Sequence, residues 1–453
     1  MARRHRKASR PGRRAEPSRE LGDPAASVAA AAIALAFVAI GLLIDSGADA
    51  AFDAPKRLAT LFLIGAAAAA LSFSPGRLPM PGWKPRSPRD GAVLALVAAL
   101  AWAIFSMLAS PRRASSFDAL RVLLLYALLL PIGASRVLRR SGRLLLGVFL
   151  CVAAVNAGVS VLQARGIFQP FALVTEFGSR ESTGAYVGNV GYLALGLALA
   201  AVGALAILLG AAGRFLRGAA AAAALLFGAG LLVNQNLTSL SALLVGGIVL
   251  AVPRFGRRAL LPGLALVVAL AAGIALYRPM RERVAGVLLA ARQRDWNRVV
   301  TYRVGAWKAA AAMAAERPLT GYGPGTFEAE YIPHRLQAEI AARTRYDNPE
   351  RTSSYAEAHC DYLQVLAETG WPGGIFAVTA AGLLLFELAR TIRRLEGRTR
   401  AEAVFLLAFL SAGAAAALTW FPLQRPISAV ALLLAAGRGW ALLPSPESPE
   451  EAA

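Results

Sequence analysis

Cysteine and histidine are scarce in this chain of 453 residues, which contains two cysteines and three histidines. Cys151 lies in an apolar run and Cys360 lies in a distant polar insert, so neither a disulfide framework nor a cysteine-based metal site is expected. The sequence also has no D-x-D, H-E-x-x-H, Walker A or G-x-S-x-G motif. These absences exclude the catalytic sites that the four motifs mark, including the metal-bridged nucleotide–sugar site of many soluble sugar transferases. We therefore expect neither a metal nor a cofactor.

Acidic residues are few, because 27 Asp and Glu stand against 48 Lys and Arg, and the formal net charge is +21. In a soluble protein this excess would suggest a nucleic-acid partner. Here the basic residues are concentrated in the N-terminal tail and in alternate short loops between apolar runs. That distribution is typical of membrane proteins, which place Lys and Arg on the cytoplasmic side. We therefore expect no nucleic-acid partner.

Long apolar runs dominate the rest of the chain. Hydrophobic residues make up 57% of it, and the mean hydropathy is +0.53. Runs of about 17 to 25 apolar residues are long enough to cross a bilayer as helices. The sequence therefore predicts an all-α polytopic membrane protein with about 12 transmembrane helices. Their expected positions are 25–44, 57–74, 91–109, 119–138, 143–163, 185–210, 217–233, 238–252, 259–276, 373–389, 401–419 and 426–443.

The same Lys and Arg bias predicts the topology. The loops richest in arginine alternate with loops that are poorer in it, which places both termini in the cytoplasm and the insert between spans 9 and 10 outside. The chain then divides into a disordered basic cytoplasmic tail (1–24), transmembrane helices 1–9 (25–276), a large helical outer loop (277–372), transmembrane helices 10–12 (373–443) and an acidic C-terminal tail (444–453).

The outer loop collects most of the side chains that could carry chemistry. Its pattern predicts three helices, at 298–316, 327–345 and 356–369. The glycine- and proline-rich segment Gly321–Gly325 separates the first two, and Asp347-Asn348-Pro349 precedes the third. In the third helix His359 and Tyr362 fall on the apolar stripe, which predicts that the His359 ring points towards the membrane domain.

If the chain handles a diphosphate leaving group, arginine side chains and helix N-termini must neutralise it. Arg180 and Arg303 are outer-face arginines, and a guanidinium can bond two phosphate oxygens at once. Glycosyl transfer by direct displacement also needs a base near the acceptor hydroxyl, a role suited to histidine. His359 is the best candidate, since His334 lies in an exposed stretch and His5 lies in the tail. The alternative is that His359 is a buried, hydrogen-bonded helix histidine.

A second polar cluster, Asn234 to Ser239, lies at an outer helix end. Burying polar side chains at the end of a membrane helix costs free energy unless they line a water-filled cavity or bind a ligand. The other interpretation is ordinary helix capping by Asn, Thr and Ser.

Three segments of the outer loop resemble the O-antigen ligase and polymerase family. They are R-x-x-x-W (Arg303–Trp307), P-L-T-G-Y-G-P-G-T-F (Pro318–Phe327) and H-C-D-Y-L-Q-V-L-A-E-T-G-W-P-G (His359–Gly373). The ligase-type pattern is His, then Asn, Ser or Gln, then nine residues and G-x-x-G. His359, residues 361–369, Gly370 and Gly373 match it, whereas Cys360 departs from the polar second position.

Two segments outside that loop extend the resemblance to roughly residues 140–420. R-E-S-T-G-A-Y-V-G-N-V-G-Y (Arg180–Tyr192) is similar to the family's arginine-containing outer segment before a helix. N-L-T-S-L-S-A-L-L, which begins at Asn236, resembles the family's T-x-S-R element but lacks its arginine.

The resemblance implies a GT-C-like, metal-independent, inverting glycosyltransferase of the bacterial inner membrane. Its donor would be a glycan linked to a polyprenyl diphosphate such as undecaprenyl diphosphate, and its acceptor lipid A-core or another glycan. Loop 277–372 would be the periplasmic catalytic loop, in contact with membrane lipid. By residue-wise match, His359 would be the base, and Arg180 and Arg303 would hold the diphosphate. The expected substrate-binding residues are Trp307, Tyr322, Gly323, Asp361 and Tyr362.

Alternative functions remain at this stage. A ligase would pass the glycan to lipid A-core, whereas a polymerase would pass it to another lipid-linked repeat unit. A transporter or flippase for a lipid or polysaccharide is an alternative of another class, although transporters often show internal repeats and charges deep in their spans. Here no repeat is evident and the charges lie at span ends, which favours surface chemistry over transport. A scaffold in a polysaccharide export complex would need neither His359 nor the two outer arginines.

Overall fold

A computed structural model describes residues 23–48, 50–73, 88–169, 180–210, 213–346 and 355–444. Within these ranges all regular secondary structure is helical, and the predicted all-α polytopic fold is confirmed. The predictions for most of the N-terminal tail, for the loop at 74–87, for the break at Asp347-Asn348-Pro349 and for the C-terminal tail lie outside the described residues.

Seventeen α-helices make up this part of the chain. They are α1 (Pro24–Leu42), α2 (Ala54–Ser72), α3 (Pro88–Leu108), α4 (Arg113–Ala127), α5 (Leu129–Ala134), α6 (Arg136–Ala164), α7 (Val190–Leu209), α8 (Arg214–Asn234), α9 (Leu237–Phe255), α10 (Leu260–Leu276), α11 (Arg278–Arg292), α12 (Trp296–Val299), α13 (Val304–Glu316), α14 (Phe327–Ala342), α15 (Asp361–Thr391), α16 (Gly397–Ala416) and α17 (Pro426–Ala441).

Among the described residues, 10 helical segments are long and apolar enough to cross a membrane, with α4 and α5 counted as one. Each of them falls on a predicted span. The two other predicted spans fall on α10 and α17. Helix α10 is bent by 101° from α11, so the pair is either a broken span or a re-entrant loop, and α17 is an apolar helix shorter than 18 residues.

Small residues let the membrane helices approach closely, as is common where lipid supplies no hydrophobic drive for association. At the crossing of α5 and α17, a Cβ on Gly133 would lie 2.3 Å from the carbonyl oxygen of Leu434. On the facing helix, a Cβ on Gly437 would lie 2.0 Å from the carbonyl oxygen of Leu130. Neither glycine can therefore be replaced without separating the two helices.

Connections predicted to lie outside meet on one face of the bundle, which we call the insert face because it carries residues 277–346 and 355–360. Lys56 Nζ donates to the carbonyl of Val187 over 3.1 Å, which joins the α1–α2 and α6–α7 connections. Thr238 and Thr419 hydroxyls lie 2.9 Å apart, which joins the start of α9 to the α16–α17 loop (residues 417–425). The side of the membrane that this face occupies stays a prediction.

The insert docks on α15 where that helix is broken at Gly370, which has a φ of +68°. Tyr322 donates its backbone N–H to Ala367 O over 3.0 Å, and Gly323 donates to Glu368 O over 2.8 Å. A Cβ on Gly370 would lie 2.4 Å from the carbonyl oxygen of Leu319. The close backbone contact explains why both the G-Y-G-P-G segment and the G-x-x-G end of the His motif need glycine.

Two of the three helices predicted in the insert are placed differently in the structure. The first, predicted at 298–316, is interrupted between α12 and α13, where Thr301 and Tyr302 have φ of +58° and +59°. The third, predicted from 356, begins only at Asp361. Asp361 N–H lies near the carbonyl oxygens of Ala417 and Trp420, at 3.1 and 3.2 Å, so the neighbouring loop decides where this helix starts.

Candidate active site

His359 lies in the segment before α15, so its predicted position on a helical stripe was wrong. Its backbone φ is +55°, a left-handed conformation that non-glycine residues adopt uncommonly and that clusters at functional sites. The ring nevertheless points inward, as expected. It makes edge contacts with Tyr355, Trp420 and Phe421 at ring-centroid distances of 4.8, 5.3 and 4.8 Å.

The hydrogen bonds of His359 decide which ring nitrogen is available. Nδ1 lies 3.0 Å from the carbonyl oxygen of Glu357. A carbonyl oxygen can only accept, so Nδ1 carries the hydrogen and Nε2 keeps its lone pair. Burial and the nearby positive charges of Arg303 and Arg425 lower the pKa of His359 to about 3, which keeps the ring neutral. The geometry therefore presents Nε2 as a proton acceptor.

Arg303 lies at the start of α13, directly after the left-handed residues Thr301 and Tyr302. Its Nη1 donates to the carbonyl of Thr419 over 2.8 Å, and its guanidinium lies 5.0 Å from the Trp420 ring centroid. Burial is the main cause that lowers the pKa of Arg303 to about 10, so the side chain stays charged at neutral pH. One turn along the same helix, Trp307 Nε1 donates to the His359 carbonyl over 3.4 Å.

Arg180 approaches the site from the α6–α7 connection. Its Nε donates to the carbonyl of Asn234 over 2.9 Å, at the end of α8. Thr183 Oγ1 lies 3.1 Å from Asn234 Oδ1, so the segment that begins at Arg180 also contacts the Asn234 side chain. Asn236 Oδ1 accepts from the backbone N–H of Ser239 over 3.0 Å, so the capping interpretation of this residue is confirmed. Arg180 therefore lies beside the N-terminus of α9.

Arg283, on α11, is a third arginine of this region, and the sequence analysis did not single it out. Its positive charge and that of Arg180 both contribute to lowering the pKa of Arg303. Its Nε is buried and has no hydrogen-bond partner among the described residues. The charges of Arg180 and Arg283 are thus close enough to affect Arg303, and the Glu181 carboxylate acts on Arg283, so three arginines and one acid leave an excess of positive charge that is suited to an anion.

Asp361 and Tyr362, two of the expected substrate-binding residues, contact the α16–α17 loop and α16. Asp361 Oδ2 accepts from the backbone N–H of Leu423 over 3.0 Å, and the Asp361 side chain is buried. Tyr362 donates its hydroxyl to the carbonyl of Ala414 over 3.0 Å. These bonds hold the loop that carries Trp420 and Phe421 against the start of α15, so both residues position the rings around His359.

Tyr322 and Gly323 contact a different part of the molecule. The Tyr322 carbonyl accepts from Ser110 Oγ over 2.6 Å, and its hydroxyl lies 3.1 Å from His334 Nε2. A Cβ on Gly323, whose φ is +102°, would lie 2.6 Å from Ser110. These contacts fasten the insert to the α3–α4 connection. Their expected contact with substrate stays a prediction.

Arg425, at the start of α17, is a further residue that the sequence analysis missed. It forms ion pairs with the Glu357 carboxylate and, over 3.3 Å, with Asp53 Oδ2. Its guanidinium lies 4.5 Å from the ring centroid of Tyr192 and 5.6 Å from that of Phe421. Burial raises the pKa of Glu357, and Arg425 opposes that rise. These ion pairs hold Glu357 in place, and the backbone carbonyl of Glu357 orients the His359 ring.

The comparison with protein families identifies residues 222–378 as an O-antigen ligase domain. This match, over about a third of the chain, supports the resemblance to the O-antigen ligase and polymerase family. The match covers Arg283, Arg303 and His359, whereas Arg180 and Arg425 lie outside it. A search of curated proteins finds no match. Members of that family are glycosyltransferase-like O-antigen ligases and polymerases, and the match together with the apolar helices supports a multi-pass bacterial membrane protein.

Both missed arginines carry a signal that the sequence alone could have revealed. Arg283 and Arg425 lie in connections on the outer side of the predicted topology, where the Lys and Arg bias disfavours them. An arginine that occurs against that bias is a candidate for binding an anion or an acidic side chain. Across the described ranges no group of three or more His, Cys, Asp or Glu side chains could hold a metal ion.

Proposed function

We propose that this protein is an O-antigen ligase-like glycosyltransferase that moves a glycan from a polyprenyl-diphosphate carrier to lipid A-core at the periplasmic face of the inner membrane. The observation that carries the proposal is the meeting of a neutral His359, whose Nε2 lone pair is free to accept a proton, with the charged Arg303. Both lie against Trp420, at the ends of membrane-spanning helices, where a lipid-linked donor can present its headgroup.

The chemical step follows from these positions. The acceptor hydroxyl oxygen attacks the anomeric carbon of the donor sugar, and its proton passes to His359 Nε2. The bond between the anomeric carbon and the diphosphate oxygen breaks, and the electron pair stays on that oxygen. Positioned bases contribute about 10²- to 10⁴-fold when their pKa lies near the working pH, so the negative charge of the bound diphosphate would have to offset the charges of Arg303 and Arg425 that lower the pKa of His359. The products are the glycosylated acceptor and the polyprenyl diphosphate.

The arginines act on the charge that the step creates. The departing diphosphate gains a terminal oxygen, and the second ionisation of a phosphate has a pKa of about 6. The diphosphate therefore becomes more negative as the bond breaks. Arg180, Arg283 and Arg303 would stabilise that charge more strongly in the transition state than in the bound donor, which is the condition for raising the rate. The chain would need no divalent metal for this purpose.

The orientation of the protein is part of the proposal. The arginine-rich connections would face the cytoplasm and the insert face would face the periplasm, as the Lys and Arg bias favours. Residues 277–372 would then form the catalytic loop between transmembrane regions 25–276 and 373–443. Cysteine-accessibility labelling of single-cysteine variants on the insert face and on the opposite face would test this arrangement in whole cells.

The lipopolysaccharide banding of a strain that lacks this protein tests the function. For a ligase, all polymer on lipid A-core disappears and lipid-linked polymer accumulates. For the second candidate of the same family, an O-antigen polymerase, a single repeat unit remains on the core. Loss of polymer from lipid A-core together with retention of the lipid-linked glycan on the cytoplasmic side would instead identify a flippase and contradict the proposal.

A further inference from the structure

The peptide bond between Glu357 and Ala358 connects the His359 ring to a side chain on α15. Its carbonyl oxygen, which belongs to Glu357, lies 3.0 Å from Nδ1 of the ring. Its N–H, which belongs to Ala358, donates to Gln364 Oε1 over 3.0 Å. A trans peptide bond is planar, so its C=O and N–H groups point in opposite directions. By holding the N–H, Gln364 therefore also determines where the Glu357 carbonyl points.

Burial makes the bond between Ala358 and Gln364 hard to replace. The exposed fraction is 0% for Ala358 and 4% for Gln364, so water does not readily take the place of the amide. A buried backbone N–H without a partner is costly. Without Gln364, the peptide would be free to turn over and present the Ala358 N–H to Nδ1. Nδ1 would then accept that hydrogen bond, the ring hydrogen would move to Nε2, and Nε2 would lose its lone pair.

Glu368 fixes the Gln364 side chain in turn. Gln364 Nε2 donates to Glu368 Oε1, one helical turn later, over 3.1 Å. These two partners settle the orientation of the amide, because the Ala358 N–H must face an oxygen and the carboxylate must face a donor. Glu368 is itself buried, and the same Oε1 accepts from the backbone N–H of Phe327 over 3.4 Å.

The backbone of Glu368 also holds the docked insert. Its carbonyl accepts from the Gly323 N–H and from Ser106 Oγ, each over 2.8 Å. A continuous set of contacts therefore runs from the G-Y-G-P-G segment through Glu368 and Gln364 to the peptide that orients His359. Docking of the insert and orientation of the imidazole depend on the same side chains.

We propose that Gln364 is a positioning residue that selects the His359 tautomer with a free Nε2, and that Glu368 holds Gln364 in place for this purpose. Gln364 acts through the Glu357–Ala358 peptide rather than through the substrates. The inference rests on the proposed function for its effect on transfer, because that effect requires His359 to be the base. The tautomer itself is a property of the protein without substrate and can be measured separately.

Nuclear magnetic resonance of the full-length protein in detergent, labelled with ring-¹⁵N histidine, tests the proposal. Protonated and unprotonated ring nitrogens differ widely in ¹⁵N shift, and the chain has only three histidines, so His359→Asn and His334→Asn assign the signals. We expect wild-type His359 to show a protonated Nδ1 and an unprotonated Nε2 at neutral pH. Gln364→Met has a similar length and lacks the amide, so it should shift both signals towards the average of the two tautomers. It should also lower kcat about tenfold while KM for the donor stays within about twofold.

Two further variants serve as controls. Gln364→Glu keeps an oxygen for the Ala358 N–H, and two facing carboxyl groups share one proton, so a bond to Glu368 also remains. We expect this conservative variant to keep the wild-type tautomer and a kcat within about threefold of wild type. Thr369→Val is the matched control, because Thr369 is buried on the same helix and its hydroxyl donates to Val365 O over 2.7 Å, within that helix. It should change neither the His359 signals nor the rate.

The outcomes separate the inference from the proposed function. The His334 signals report the fold of the insert, since that ring lies 2.7 Å from the Glu330 carbonyl and packs against Tyr322. If Gln364→Met leaves the His359 signals unchanged, or changes the His334 signals equally, the inference is wrong and the proposed function stands. If the tautomer changes and the rate does not, Gln364 selects the tautomer as inferred, and the role of His359 as base fails. A wild-type His359 protonated on Nε2 would contradict both.

Discussion

His359 and Glu357 are joined by a hydrogen bond of 3.0 Å between the ring Nδ1 and a backbone carbonyl two residues earlier. The bond fixes the tautomer of the histidine, and the ion pair of the Glu357 side chain with Arg425 holds the segment in place. A catalytic base needs both the correct nitrogen and the correct direction. In this protein one short left-handed turn supplies both.

Replacing His359 tests its proposed role as the base. Asn tolerates the left-handed conformation that residue 359 adopts, so His359→Asn removes the imidazole without straining the backbone. We expect transfer to fall by about 10²- to 10⁴-fold while membrane expression stays normal, as measured by glycan attachment in cells and by immunoblot. Full activity of His359→Asn would remove the residue from the mechanism. His334→Asn, which changes a histidine with different contacts, is the comparison.

Arg303 is expected to tolerate lysine poorly. The guanidinium bonds to Thr419 O while it lies over the Trp420 ring, and a lysine ammonium cannot keep this contact together with a two-bond grip on phosphate. Both Arg303→Lys and Arg303→Ala should lower kcat by about 10²- to 10³-fold. Steady-state rates with a lipid-linked donor measure this. If Arg303→Lys keeps nearly wild-type kcat, a positive charge at residue 303 is sufficient for catalysis and the planar two-bond contact with phosphate is not needed.

Arg283 should contribute mainly to the departure of the diphosphate. Removing its charge with Arg283→Gln should lower kcat about tenfold and weaken inhibition by the product, undecaprenyl diphosphate, with a smaller effect on KM for the donor. Arg281→Gln is the matched control, because Arg281 lies on the same helix and is exposed. An equal loss in both variants would show that α11 acts through its general charge or its folding.

The pH dependence should reflect the low pKa of His359. The ring of the free enzyme stays neutral well below its ordinary pKa of 6.5, so kcat/KM should not fall as pH drops through 6.5. Arg303 lowers this pKa, so Arg303→Gln should move the acid limb of kcat/KM to higher pH. A wild-type acid limb near 6.5 that does not move in the variant would contradict the environment described for His359.

The same shift makes a prediction about stability. Between pH 6.5 and about 3, the unfolded chain protonates His359 and the folded chain does not, so acid favours unfolding through this residue. Stability should therefore fall as pH drops through this window. His359→Asn should remove that contribution. Melting temperatures of the detergent-solubilised protein across this pH range, compared between the two proteins, measure the difference.

Transfer should be independent of divalent metal. The sequence has no D-x-D motif, and arginines are in place to neutralise the diphosphate. EDTA should therefore leave the initial rate unchanged in purified membranes. Strong inhibition by EDTA that added Mg²⁺ or Mn²⁺ reverses would overturn this expectation.

Fold class and helix positions could be predicted because they depend on local properties. The length and hydropathy of an apolar run decide whether it can cross a bilayer, whatever its neighbours do. Helix ends within the insert could not be predicted equally well. Helix α15 starts at Asp361 because its backbone N–H bonds to the α16–α17 loop, and the interruption before Arg303 depends on two residues with positive φ.

The sequence by itself determined that this is an all-α membrane protein, and its motifs marked His359, Arg180 and Arg303 as residues of interest. Only the tertiary structure decided how they are used. Glu357 lies in the segment before α15, whereas Phe421 and Arg425 lie in the α16–α17 loop, and the contacts between these two parts of the chain orient the imidazole. Such contacts arise from helix packing, and no periodicity in one segment can encode them.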